Sequence, residues 1–180
     1  EQANQELTVA NEALKEASQI VFEKDQAHAL TYSSTWGYQP LREWIAKRYQ
    51  DFYQMDIKAE EILITTGSQQ ALDLIGKVFL DPMDHILVER PSYLGALQSF
   101  QQFEPHIHEV QLNEDGMNPN MFRTFLRTYH PKLIYTVPNF QNPSGISYST
   151  QVKKEMVEAM KPYDVIMVED DPYGDLRYDG

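Results

Sequence analysis

The chain has 180 residues, of which 42% are hydrophobic and 12% aromatic, a composition typical of a globular domain and not of a disordered chain. Its formal net charge is −12 and it has no basic cluster, which makes nucleic acids and anionic membranes poor partners. No apolar run approaches membrane-spanning length, and the absence of cysteine excludes disulfides and thiolate metal sites. We therefore expect a cytoplasmic protein.

The first part of the chain predicts two helices. Apolar residues recur at helical spacing from Leu7 to Val21, among Glu, Lys and Gln. A polar, aromatic loop covers residues 29–38, and a second helix begins near Pro40, because proline is favoured in the first turn of a helix.

From Ile62 onward, short β-rich runs alternate with helical stretches of about ten residues. This alternation is typical of a layered α/β fold with a largely parallel sheet. The strands are predicted at 62–65, 86–88, 107–112, 133–137 and 165–168, and the helices at 69–79, 94–103, 121–127 and 151–160, the last of them capped by Ser149 or Thr150.

The segment around Gly67, Ser68 and Gln69 marks a change from strand to helix. Gly67 allows close approach of the backbone, and the amides of the two following residues would point out of a helix N-terminus, which favours an anion. An ordinary serine cap after a glycine turn explains the same residues. The segment is neither a Walker P-loop nor a dinucleotide-binding fingerprint.

Two further strand ends carry side chains with two possible roles. Tyr93 follows the strand at 86–88 and is either an aromatic plate for a planar ligand or a core residue at a helix start. Asn142 lies in a turn with Pro143 and Gly145, where its amide either contacts a ligand or stabilises the turn.

The last strand ends in the sequence Glu169-Asp170-Asp171-Pro172-Tyr173. Asp170 is suited to pairing with a cationic ring nitrogen, and Tyr173 to donating a hydrogen bond to a ring oxygen. A divalent metal held by the three adjacent carboxylates is the competing interpretation. It is disfavoured because neighbouring strand residues point to opposite faces. The five histidines show no metal-ligand spacing, so no metal site is predicted.

Taken together and in order, these motifs resemble the class I/II aminotransferases, which are pyridoxal phosphate (PLP) enzymes of fold type I. The resemblance is closest to the 2-aminoadipate and aromatic aminotransferases, whose domain also occurs in MocR-type regulators. It covers the chain from about Leu30 to its end and rests on Thr31-Tyr32, Gly37-Tyr38-x-Pro40-Leu41-Arg42, Thr66-Gly67-Ser68-Gln69-Gln70-Ala71, Pro91-Ser92-Tyr93, Pro138-x-x-Gln141-Asn142-Pro143-Ser144-Gly145 and Glu169-Asp170-Asp171-Pro172-Tyr173.

The resemblance implies a three-layer α/β/α large domain and a homodimer with active sites at the subunit interface. Asp170 would pair with the pyridine nitrogen of PLP and keep it protonated, so that the ring serves as an electron sink. The resemblance assigns the other contacts as follows: Tyr173 and Asn142 to the phenolic oxygen, Tyr93 to the ring face, Gly67, Ser68 and Gln69 to the phosphate, and Tyr32 to the phosphate of the neighbouring subunit.

The resemblance also implies that parts of the enzyme lie outside the sequence. We expect residues 1–30 to form an N-terminal helical segment, and residues 31–180 to form a truncated PLP-binding large domain. The family's Schiff-base lysine and its substrate-binding arginine belong to regions after Tyr173, and none of the lysines in this chain occupies that place. This polypeptide alone is therefore expected not to transaminate, and to bind PLP only weakly.

Two functions from different classes follow, and a third remains open. The first is amino-group transfer between an amino acid and a 2-oxo acid. The second is a PLP- or amino-acid-sensing domain of a MocR-type regulator, which would require a basic DNA-binding domain upstream of Glu1. The third is an unrelated nucleotide- or metal-binding α/β domain.

Overall fold

The computed structural model describes the backbone of residues 2–176 and the side chains from Leu7 onward. The chain divides into two compact units, Glu1–Ile64 and Thr65–Gly180. The last four residues of the domain predicted at 31–180 lie outside the described residues. Within the described part, no helix is both long enough and apolar enough to span a membrane.

The first unit is helical. Both predicted helices are present, as α1 (Gln2–Lys24) and α3 (Gln39–Tyr53), with a short α2 (Gln26–Ala29) between them. Pro40 lies in the first turn of α3, and the helix ends at Gln54, whose backbone is left-handed. A single 3₁₀ turn follows at Ala59–Glu61.

The prediction of a strand at 62–65 is wrong. Ile62 has an extended backbone, with φ −111° and ψ 126°, but the segment belongs to no sheet of the described residues. The amide of Ile64 instead donates to the carbonyl of Trp36, at 3.0 Å. A short apolar run suits a strand, but a strand also requires a neighbouring strand with which to pair.

The second unit contains the sheet, whose strand order is β3-β2-β1-β4-β5. Strands β2, β1, β4 and β5 are parallel, and β3 pairs with β2 in the antiparallel direction. The elements are α4 (Ser68–Phe79), β1 (His85–Arg90), α5 (Leu94–Gln101), β2 (His106–Asn113), β3 (Gly116–Met117), α6 (Pro119–Tyr129), β4 (Leu133–Thr136), α7 (Thr150–Met160) and β5 (Ile166–Glu169).

The side-chain alternation of the central strands produces two cores, one on each face of the sheet. Ile86 and Val88 pack with residues of α4 and α5, whereas Leu87 between them packs with residues of α6 and α7. The predicted three-layer α/β/α architecture with a mostly parallel sheet is thereby confirmed. The predicted cap of α7 is Ser149, whose side chain accepts from the amide of Val152.

From β1 the chain passes first to β2, which lies on one side of β1. It later passes to β4, which lies on the other side of β1. This reversal creates a topological switch point between β1 and β4. Ligands of open α/β sheets bind beside the carboxyl ends of the strands at such a point. A functional site is therefore expected at the loops that follow β1 and β4.

Candidate functional site

A cavity of about 200 Å³ lies beside the carboxyl ends of β1, β4 and β5. Five of its lining residues belong to the predicted cofactor-binding set, namely Ser68, Tyr93, Asn142, Asp170 and Tyr173. They come from four separate segments of the second unit. The lining consists of Ser68, Tyr93, Tyr135, Val137, Asn142, Asp170, Pro172 and Tyr173. Residues that are far apart in the sequence are thus brought to one cavity by the parallel sheet.

Asp170 is held in place from two directions. Its backbone amide donates to the carbonyl of Thr136 at 2.9 Å, which continues the pairing of β5 with β4. A carboxylate oxygen accepts a 2.8 Å hydrogen bond from the hydroxyl of Tyr135. Burial, followed by the negative charge of Asp170, raises the pKa of Tyr135 well above its usual range. Tyr135 therefore remains a neutral hydrogen-bond donor to the side chain of Asp170.

The three adjacent carboxylates of this segment do not converge. Asp170 lines the cavity at the strand ends, whereas Glu169 lines a separate small pocket together with Lys153. Asp171 accepts the backbone amide of Gly174, at 3.0 Å. The pleat of β5 thus sends neighbouring side chains to opposite faces. Residues 2–176 contain no group of three or more His, Asp or Glu side chains that is arranged to hold a metal ion.

The N-terminus of α4 supplies the anion-binding part of the site. Gly67 precedes the helix with φ +78°, a backbone conformation that side-chain-bearing residues rarely adopt. Ser68 and Gln69 are the first two helical residues, so their amides have no carbonyl partner within the helix. The side chain of Gln69 is directed elsewhere, because its amide donates to the carbonyl of Gly95 at 2.9 Å and to the hydroxyl of Ser99 at 2.6 Å. Only the backbone of Gln69 is left for an anion.

Tyr93 lies at the start of α5 and lines the cavity with part of its ring. The ring packs against Gly95, where an added Cβ atom would come within 2.6 Å of it. A larger residue at position 95 would displace both Tyr93 and the side-chain amide of Gln69. Tyr93 also packs against the core cluster on this face of the sheet, so its position agrees with both of its predicted roles.

The turn that carries Asn142 is anchored by its neighbour Gln141, which the sequence analysis did not single out. Gln141 is buried, and its side-chain amide donates to Glu89 at 2.7 Å and to the carbonyl of Pro91 at 2.8 Å. Its oxygen accepts from the backbone amide of Ser144, at 2.9 Å. The turn is thereby connected to the end of β1, and Asn142 is held at the cavity.

Glu89 is the second residue that sequence reasoning missed. It is fully buried within β1, and its carboxylate accepts hydrogen bonds from Thr136, Val137, Gln141 and Tyr148. Burial raises the pKa of Glu89, and these four hydrogen bonds oppose the rise. A glutamate directly after the apolar run at 86–88 was the signal in the sequence, and its partners come from distant segments.

Tyr32 belongs to the other compact unit, where its side chain is fully exposed. It therefore differs from the remaining predicted site residues, all of which belong to the unit that holds the cavity. A fully exposed tyrosine makes no packing contribution within its own unit. Packing within the first unit therefore does not explain why this position holds an aromatic residue.

A histidine cluster lies at the opposite ends of the strands. Nδ1 of His85 is 2.8 Å from Nε2 of His108, and the ring of His108 stacks on Tyr129 with centroids 3.6 Å apart. His106 stacks on His85, with centroids 5.0 Å apart. These three histidines pack against one another and against aromatic rings.

The donor set of the cavity fits PLP. A carboxylate is available for a ring nitrogen, an amide and a phenol for a ring oxygen, an aromatic ring for stacking, and a helix N-terminus with a serine for a phosphate. No lysine or arginine lines the cavity among the residues described, so the anion would be bound by dipoles and hydroxyl groups rather than by a full positive charge.

Comparison with known proteins points in the same direction. The model of the family "Aminotransferase class I and II" matches residues 1–180. The chain is 42% identical to aromatic-amino-acid aminotransferase 1 of Thermococcus litoralis over 94% of its own length and 42% of that protein's. It is 39% identical to the 2-aminoadipate transaminase of Thermus thermophilus over 96% of its length and 42% of that protein's. The chain thus spans less than half the length of these relatives.

The structural match is equally clear. A kynurenine aminotransferase of Pyrococcus horikoshii, in complex with PMP, superposes with a TM-score of 0.88 at 42% identity. The match covers 94% of this chain and 43% of that one. An HTH-type transcriptional regulator of Bacillus subtilis is less similar, at 32% identity over 84% of this chain and 31% of the regulator.

Proposed function

Because the chain belongs to the class I and II aminotransferase family, we propose that it forms part of the PLP site of an enzyme that transfers an amino group between an amino acid and a 2-oxo acid. One observation carries the proposal. Asp170, Asn142, Tyr173 and Tyr93 line one cavity at the switch point of the sheet, together with Ser68 at a helix N-terminus. Three of the relatives named above are aminotransferases, and the cavity has the donor set that their cofactor requires.

Each predicted site residue has a role in this proposal. Asp170 pairs with the pyridine nitrogen, while Asn142 and Tyr173 hydrogen-bond the phenolic oxygen. Tyr93 covers one face of the ring. The phosphate is bound at the start of α4, by the hydroxyl of Ser68 and by the backbone amides at the positions Gly67, Ser68 and Gln69.

Bound PLP supplies an electron sink for the carbanion that forms when the substrate loses its α-proton. The residues of this chain sustain that chemistry through electrostatics. The hydroxyl of Tyr135 holds the Asp170 carboxylate in position, and the negative charge of that carboxylate would favour a proton on the ring nitrogen. Asn142 and Tyr173 would orient the ring by hydrogen bonds to its phenolic oxygen. Ser68 and the start of α4 hold the phosphate and so fix the position of the ring.

The proposal includes a homodimer, in which Tyr32 contacts the phosphate bound by the neighbouring subunit. Two properties of the first unit support it. Tyr32 is fully exposed, and large apolar side chains are exposed along α1 and α3, among them Leu14, Phe22, Trp44 and Phe52. Such surfaces mark protein interfaces more often than free surface. Light scattering on the full-length protein tests the dimer, and a monomeric protein would argue against it. The cytoplasmic location stays a prediction from composition.

The names of the relatives indicate a class of substrate and not an individual amino acid. Two of them act on aromatic amino acids or on 2-aminoadipate, as their names state. We therefore propose an amino acid with a long or aromatic side chain as amino donor and a 2-oxo acid as acceptor. Parallel assays with phenylalanine, 2-aminoadipate and alanine test this proposal, and a clear preference for alanine would contradict it.

The decisive experiment is the half-reaction of the full-length protein with PLP. Addition of an amino acid should convert the absorbance of the bound cofactor to that of its amine form and release one equivalent of a 2-oxo acid. Addition of a different 2-oxo acid should restore the original spectrum. Asp170→Asn, loaded with the same cofactor, is the matched control and should convert much more slowly. Release of ammonia in place of cofactor amination would contradict amino-group transfer.

A sensing domain of a MocR-type regulator is the second candidate, supported by the similarity to the Bacillus subtilis regulator. It would use the same cavity to detect PLP or an amino acid. The sequence of the gene upstream of Glu1 tests it. A basic winged-helix domain there would favour the regulator, and a start codon shortly before Glu1 would favour the enzyme.

A further inference from the structure

Glu89 is buried within β1 and is not one of the residues that line the cavity. Oε1 of its carboxylate accepts from the hydroxyls of Thr136 and Tyr148, both at 2.7 Å, and from the amide of Val137 at 2.8 Å. Oε2 accepts from the side-chain amide of Gln141, at 2.7 Å. A buried acidic group with four neutral donors requires an explanation, because burying a carboxylate is costly.

The contact with Gln141 leads to the turn at the site. Gln141 uses both of its N–H groups, one for Glu89 and one for the carbonyl of Pro91, and its oxygen accepts the amide and the hydroxyl of Ser144. Every polar atom of this side chain is therefore occupied. The next residue is Asn142, which lines the cavity, and Tyr93, another lining residue, lies two residues after Pro91.

Glu89 is one of three neighbours that fix the orientation of the Gln141 amide, together with the carbonyl of Pro91 and the amide of Ser144. A carboxylate can only accept, so the nitrogen of Gln141 must face it, and the oxygen must then face Ser144. In the opposite orientation the nitrogen would face the amide of Ser144 and the oxygen would face the carbonyl of Pro91. Both contacts would be repulsive, and the turn would lose its attachment to the end of β1.

We propose that Glu89 is a positioning residue of the cofactor site, which acts through Gln141 to fix the turn that carries Asn142 and its distance from Tyr93. This inference rests on the proposed function, because it gives Asn142 a role in PLP binding. It adds a residue in the interior of β1 to a site otherwise formed by loops and strand ends.

The variant Glu89→Gln tests the inference sharply. One of the two terminal atoms of the substituted side chain must be a nitrogen, and it faces either the amide of Val137 or the amide of Gln141. Each arrangement places two donors against each other, and the hydrogen-bond pattern of the turn cannot be kept intact. Equilibrium dialysis of the full-length apoprotein against PLP gives the dissociation constant, and we expect it to rise about tenfold, which corresponds to about 1.4 kcal/mol.

A double-mutant cycle distinguishes positioning from general destabilisation. If Glu89 acts through Asn142, the tenfold loss should nearly disappear in an Asn142→Ala background, because the group being positioned is gone. Tyr148→Phe is the matched control, since it removes another buried donor to the same carboxylate. It should lower the melting temperature and leave the dissociation constant of PLP unchanged within about twofold.

Ser144→Ala provides a test if Glu89→Gln does not fold. Ser144 is exposed, so the change should leave the fold intact while it removes the hydroxyl contact to Gln141. We expect a loss of PLP affinity of about threefold, again absent in the Asn142→Ala background. An unchanged dissociation constant in Glu89→Gln, or an equal loss in both backgrounds, overturns the inference while the proposed function stands. Original protein that does not bind PLP overturns both.

Discussion

The hydroxyl of Tyr135 donates a 2.8 Å hydrogen bond to the carboxylate of Asp170, and thereby connects two neighbouring parallel strands at the point where the candidate site begins. Tyr135 belongs to the core on one face of the sheet, yet its polar end reaches the cavity. Burial and the charge of Asp170 raise the pKa of the Tyr135 phenol, so its proton remains available for this hydrogen bond. Packing and site electrostatics are thus combined in one residue.

Asp170→Asn should reduce the transamination rate of the full-length protein by about 10²-fold or more, because the amide lacks the charge that favours a protonated ring nitrogen. The fold should be preserved, since the backbone pairing of Asp170 with Thr136 is unaffected. Steady-state kinetics and circular dichroism measure the two effects. Asp171→Asn is the matched control, because Asp171 contacts the backbone of Gly174 and does not line the cavity. Near-normal turnover of Asp170→Asn would contradict the assigned role.

Tyr135→Phe should weaken PLP binding by about tenfold and slow turnover by a similar factor, because Asp170 loses a hydrogen-bond donor. The packing of the ring is retained in phenylalanine, so the melting temperature should fall by only a few degrees. Equilibrium dialysis and kinetics on the same preparation are the measurements. If the loss persisted undiminished in an Asp170→Asn background, Tyr135 would not act through Asp170.

Ser68→Ala should weaken the binding of PLP by about three- to tenfold and leave the binding of pyridoxal, which has no phosphate, unchanged. The reason is that Ser68 contributes its hydroxyl at a helix N-terminus, where an anion is favoured. Competition dialysis with both compounds gives the ratio directly. Equal losses for PLP and pyridoxal would mean that Ser68 contacts the ring or supports the fold.

The histidine cluster predicts a dependence of stability on pH. Burial lowers the pKa of His108, and the neighbouring His85 and His106 lower it further. The unfolded chain, with a histidine pKa of about 6.5, therefore binds more protons than the folded chain just below that pH. Stability is thus complete above pH ~6.5 and is lost as the pH falls towards the lowered pKa of His108.

Urea unfolding at a series of pH values between ~7.5 and ~5 measures this effect. The free energy of unfolding should fall over this range, and it should fall less in His108→Gln. The carboxylates with lowered pKa values, such as Asp84, lose their stabilising contribution only in more acidic solution. If the two curves ran parallel, His108 would not be the group responsible.

Local sequence patterns were enough to predict most of the helices and strands. Four of the five predicted strands and all of the predicted helices are present, because apolar period, proline and capping signals are local. Ser68, Tyr93, Asn142, Asp170 and Tyr173 each follow a strand or begin a helix, but it was the resemblance of the ordered motifs to the aminotransferases that assigned them to one site.

The hydrogen-bond partners of these residues follow from the three-dimensional fold and not from local sequence. Whether 62–65 pairs as a strand depends on a neighbouring strand, and the local pattern does not contain that information. The links from Tyr135 to Asp170 and from Glu89 through Gln141 to the Asn142 turn join residues 35 and 52 positions apart. Such hydrogen bonds depend on strand order and register, which are properties of the whole sheet, and the sequence around each residue leaves them undetermined.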